Sequence, residues 1–117
     1  MRSLKFALLA LCAALFIGCG DTRCQNSVAY ELASPGRGRK ALVFNRDCGA
    51  TTGISTQLSI LPAGTPLGSD AGNALAVDEG TLVVRWSGDD SLIVELGGRR
   101  AYKKESVVAG VTITYRQ

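Results

Sequence analysis

The feature that most limits how this chain can fold is the spacing of its turns. After Cys24, clusters of Gly, Pro, Asp and Ser interrupt the sequence before any apolar run reaches the length of a stable helix. Between them the hydrophobic residues recur every second position. Val28, Tyr30 and Leu32 alternate with small or polar neighbours, as do Leu82, Val84 and Trp86; Leu92, Val94 and Leu96; and Val111, Ile113 and Tyr115. Period two places each set on one face of a strand. Ala41 to Phe44 is apolar on both faces and reads as a central strand. Ile54, Thr56, Leu58 and Ile60 alternate with Ser55, Gln57 and Ser59, which predicts a half-buried strand with a polar outer face. Ala74 to Val77 is a short strand, Tyr102 to Val108 a weaker one, and Pro62 to Gly72 a loop. Turns fall at Ser34–Gly38, Asp78–Gly80, Gly88–Asp90, Gly97–Gly98 and Ala109–Gly110. The expected fold is all-β, with about eight short strands. The connections are too short for parallel crossovers, so a small antiparallel β-sandwich or partly open barrel follows.

The first residues follow a different rule. Arg2 and Lys5 precede Phe6 to Ile17, twelve residues without a polar group. A basic start and an apolar stretch of that length form a secretory signal, expected as a helical segment ahead of the domain. A spanning helix needs about 20 apolar residues, so this stretch is too short for a permanent anchor. The alternative, a buried N-terminal helix, would be apolar all round with nothing to pack on.

Leu15-Phe16-Ile17-Gly18-Cys19 closes that stretch. It resembles the lipobox of bacterial lipoproteins, where a small residue precedes a cysteine that receives diacylglycerol. Phe16 departs from the aliphatic residue usual in that family. Cys12 sits mid-stretch behind bulky Leu11 and does not compete. The resemblance implies removal of residues 1–18, lipidation of Cys19 and a short tether over 19–23. A single all-β domain follows over 24–117. Gly20, in place of Asp, implies the outer membrane, so the expected address is the cell envelope. The expected partner is the membrane itself, held through the lipid. The alternative is cleavage nearby, which would release a soluble periplasmic protein.

Eighteen residues removed from 117 leave 99, one domain's worth. Loss of Arg2 and Lys5 lowers the basic count from 13 to 11 against 10 acids, so the formal charge falls from +3 to +1. Nucleic-acid binding needs a clustered positive excess, which this balance lacks. Cys24 and Cys48 remain, and in an exported protein such a pair reads as a disulfide. Zinc would want His or more Cys, and a catalytic Cys would want His. The chain has no histidine.

Arg46-Asp47-Cys48-Gly49-Ala50-Thr51-Thr52-Gly53, with Ser55-Thr56-Gln57, Ser59-Ile60-Leu61-Pro62 and a later Val84-Arg85-Trp86, resembles a family of short bacterial proteins without an assigned activity. That family carries a Ser-Pro-Asp-Gly-Lys turn upstream. Here the turn is Ser34-Pro35-Gly36-Arg37-Gly38. The resemblance implies no catalytic role for any position.

Two segments are candidate contact sites. Gly49, Thr51 and Thr52 could offer backbone amides and hydroxyls from a disulfide-pinned loop, or simply join two strands. Arg99, Arg100, Lys103 and Lys104 could meet anionic headgroups, or line a charged strand edge that blocks aggregation. Asp89 and Asp90 read as turn residues, and Trp86, Phe44, Tyr30 and Tyr115 as core. No catalytic set, metal site or cofactor is expected. The expected function is a non-enzymatic envelope lipoprotein that binds an envelope protein or glycan. The alternative is an inhibitor of a cell-wall-degrading enzyme.

Overall fold

The alternating runs become strands in the computed structural model, which describes residues 24–49 and 53–117. The signal over 1–18, the tether with Cys19, and Thr51 and Thr52 lie outside the described residues. Nine strands follow in order: β1 (Gln25–Ala33), β2 (Arg39–Asp47), β3 (Ile54–Pro62), β4 (Leu75–Asp78), β5 (Val83–Gly88), β6 (Ser91–Glu95), β7 (Ala101–Lys104), β8 (Val107–Val108) and β9 (Val111–Arg116). No helix occurs among the described residues. The strands form a five-stranded sheet, β1-β2-β3-β4-β7, and a four-stranded sheet, β5-β6-β9-β8. They do not close into a barrel.

The core lies between the sheets. Ala41, Val43, Leu58, Ile60, Leu75 and Val77 from the first meet Leu82, Val84, Leu92, Val94, Val111 and Ile113 on the second side. These are the residues that the alternation assigns inward on β5, β6 and β9. Each fully buried Val, Leu or Ile contributes about 1.5–3 kcal/mol relative to exposure.

Four expectations change. The weak strand over Tyr102–Val108 is two strands in different sheets, which raises the count to nine. The pairing is not wholly antiparallel, because β6 and β9 run parallel, with Leu92 opposite Ile113 and Val94 opposite Tyr115. After β6 the chain leaves its sheet, lays β7 beside β4, and returns through β8 into β9. This excursion through the opposite sheet does the work that a crossover helix does elsewhere.

The third change is in β1. Its register slips between Val28 and Tyr30, so Val28 pairs with Phe44 and Tyr30 with Val43. Ala29 is the extra residue of a β-bulge. Tyr30 therefore faces the core while Val28, half exposed, faces the other way.

The fourth change concerns the outer face of β3, where Gln57 and Ser59 are buried. The segment 63–73 lies over them. Gly72 N–H donates to Gln57 Oε1 at 2.7 Å and Asn73 N–H to Ser59 Oγ at 3.1 Å. A Cβ on Gly72 would sit 2.7 Å from the Leu58 carbonyl oxygen, so only glycine permits this approach. The Asn73 amide accepts from Ile60 N–H and donates to Ile60 C=O, each at 2.8 Å. It thus continues the ladder past Leu58, where β4 stops pairing. Asn26 and Arg46 hold the far part of the segment by donating to the carbonyls of Gly68, Asp70 and Ser69. Leu42 and Phe44 share this face, paired with Ser59 and Gln57, and are fully buried outside the main core.

Cys24 and Cys48 form a disulfide just beyond the Gln25–Asp47 pair. The bond staples the open end of the β1–β2 hairpin.

Candidate functional site

Between β4 and β5 the segment 79–82 has no regular structure, yet side chains from three directions fix it. From β3, buried Thr56 receives the Gly80 N–H at 2.9 Å and lies 2.9 Å from the Gly80 carbonyl oxygen. Its single hydroxyl proton serves that carbonyl or Asn45 Oδ1, 3.2 Å away. From β1, the Tyr30 hydroxyl donates to the Leu82 carbonyl. Arg99, in the turn before β7, donates to the Thr81 carbonyl. The Arg99 guanidinium also lies against Gly80, where a Cβ would overlap it at 2.5 Å. Gly80 has φ +154°, so both crowding and backbone conformation ask for glycine there.

This strap and the bulged part of β1 bound a cleft of about 310 Å³. Its floor and walls combine apolar Ala29, Val43 and Leu82 with the Tyr30 side chain. The polar groups are Asn45, Thr56, Glu79 and Thr81. Thr56 is consumed by the strap. The Asn45 amide touches Thr56 at one end only, and the Glu79 carboxylate makes no ion pair among the described residues. Burial raises the Tyr30 pKa, partly offset by the Val84 N–H at its oxygen. The phenol is therefore neutral at physiological pH and keeps its proton for the Leu82 carbonyl.

The edges of β1 and β5 meet on this side of the molecule. Beyond the Tyr30 bridge, Trp86 Nε1 donates to the Leu32 carbonyl at 2.9 Å. Two aromatic side chains thus occupy edge groups that would otherwise invite another strand.

A second depression, of about 350 Å³, lies where the β1–β2 and β5–β6 turns touch. Its polar groups serve each other. Gly36 N–H donates to Asp89 Oδ1, and Arg39 pairs with Asp90 Oδ1 at 2.5 Å. A Cβ on Gly36 would come within 2.9 Å of the Asp89 carboxylate. Asp89 and Asp90 are turn residues, as the sequence implies, and they also clasp the neighbouring turn.

The basic set divides. Arg99 is committed to the strap. The Arg100 guanidinium lies 4.9 Å from the centre of the Tyr102 ring, and Lys104 Nζ lies 5.0 Å from that of Tyr115. Lys103, opposite Ala76, is exposed. The Tyr115 hydroxyl donates to the Glu105 carbonyl at 2.7 Å. Burial, with a smaller push from the Glu105 carboxylate, raises the Tyr115 pKa to about 12. Gly49 N–H donates to Asp47 Oδ1 at 3.0 Å beside the disulfide. The structure does not bring Gly49 into the cleft.

The cleft itself was not among the sequence expectations. Its signal was present, because Asn45 and Thr56 both fall on core-facing positions where an apolar residue would fit the alternation. A polar group buried there needs a partner. Comparison with known protein families, curated proteins and solved structures gives no match.

Proposed function

We propose that this chain is an exported, lipid-anchored protein of the bacterial envelope whose β-domain is a binding module rather than an enzyme. The observation that carries the reading is the Cys24–Cys48 disulfide, since such bonds persist in oxidising compartments outside the cytoplasm. The signal-like start and the lipobox-like Gly18-Cys19 supply the route and the anchor. Several acyl chains on Cys19 would hold the protein stably, at about 0.8 kcal/mol per buried methylene. Cys24 is five residues from Cys19, a span of at most about 17 Å when extended, so the domain would lie close to the bilayer. Arg100 and Lys103, exposed on and beside β7 at the sheet edge opposite β1, are the basic groups that anionic headgroups would meet.

Recognition fits the site better than chemistry does. The chain has no histidine, and the cleft presents hydrogen-bonding groups beside apolar walls rather than a nucleophile with its base. Expression in a bacterial host with radiolabelled palmitate should label the protein, and Cys19→Ala should abolish the label. A label of equal strength on the variant would refute the anchor.

A further inference from the structure

We propose that the cleft between the β1 bulge and the 79–82 strap is a saccharide site that takes one uncharged pyranose ring. The inference rests on the binding-module reading but not on the lipid anchor. The walls are set before any ligand arrives. Thr56, Tyr30 and Arg99 each fix a different backbone group of the strap, so little ordering cost remains for binding.

The uncommitted groups define the ligand. Glu79 offers acceptor oxygens that form no ion pair among the described residues. The Arg99 guanidinium beside Gly80 is spent on the Thr81 carbonyl and is not among the cleft's lining side chains, and together these disfavour phosphates, sulfates and carboxylates. Asn45 offers the end of its amide that is not on Thr56, and Thr81 a hydroxyl. Sugar hydroxyls donate and accept at once, so neighbouring hydroxyls of one ring can serve a carboxylate, an amide and an alcohol together. Exposed Ala29 and the half-buried Tyr30 side chain, backed by buried Val43 and Leu82, supply a small apolar surface for the C–H face of a pyranose. At about 310 Å³ the cleft stands at the lower end of ligand sites, enough for a single ring. An extended peptide is less suited, because Tyr30 and Trp86 already bridge the two strand edges.

The test uses the full purified protein in detergent. Saturation-transfer NMR would be run with glucose, N-acetylglucosamine, N-acetylneuraminic acid as the anionic probe, and spermidine as the cationic one. A neutral sugar should bind and the anionic sugar should not. Glu79→Ala, at an exposed position, should weaken the sugar about tenfold. Thr114→Ala, on the outer face of the second sheet, should leave affinity unchanged. Failure of both neutral sugars, preference for spermidine, or binding indifferent to Glu79→Ala would overturn the proposal. A protein that binds sugar without palmitate would keep this site and lose the anchor. One that carries palmitate and binds no sugar would do the reverse.

Discussion

Thr56 shows how one hydroxyl can decide a local structure. It sits among Leu58, Val77 and other core residues, where an apolar side chain would satisfy packing alone. The oxygen instead serves both backbone groups of Gly80. Thr56→Val keeps the shape and removes the partner, leaving the Gly80 N–H without its acceptor. The expected cost is about 1–3 kcal/mol, read as a lower urea midpoint with an unchanged slope. Arg99 gives the complementary lesson. Within a run of basic residues its charge suggests a surface ligand, yet its guanidinium is spent on a carbonyl eighteen residues away. Charge type was legible in the sequence. Its use was not, because nothing local marks Gly80 and Thr81 as its neighbours.

At the scale of elements, strands facing one core on one side read cleanly. Leu82-Val84, Leu92-Val94 and Val111-Ile113 keep strict alternation because water covers their opposite faces. β1 defeats the same rule through a single inserted residue, since a bulge at Ala29 reverses the side on which later residues fall. β3 defeats it differently. Its polar face is covered by a loop that matches each buried group with a partner. Asn73 is the hinge of that match, imitating a strand where β4 has ended. Asn73→Ala should unbind the loop from β3 and cost about 1–3 kcal/mol. Hydrogen exchange should then show faster exchange at Ile60 N–H, with β5 and β6 unaffected. Equal protection at Ile60 in the variant would show that the amide is dispensable.

For the whole molecule, the all-β class and the facing apolar surfaces follow from composition and period. The sheet order does not. β6 and β9 are partners across fifteen intervening residues that visit the other sheet, and no periodicity encodes that visit. The cleft was hidden for the same reason, since it gathers residues from β1, β2, β3 and the strap. β9 stands between β6 and β8, so the second sheet lacks its middle without it. A chain ending at Gly110 should therefore show no cooperative thermal transition, whereas loss of Gln117 alone should leave the transition in place. Near-UV circular dichroism of both chains would check this. The disulfide runs on a different schedule from that strand. Both its sulfurs and the whole hairpin between them lie within the first 48 residues. As the polypeptide is synthesised, the covalent closure can be sealed early, while β9, the strand that completes the second layer, appears well after it.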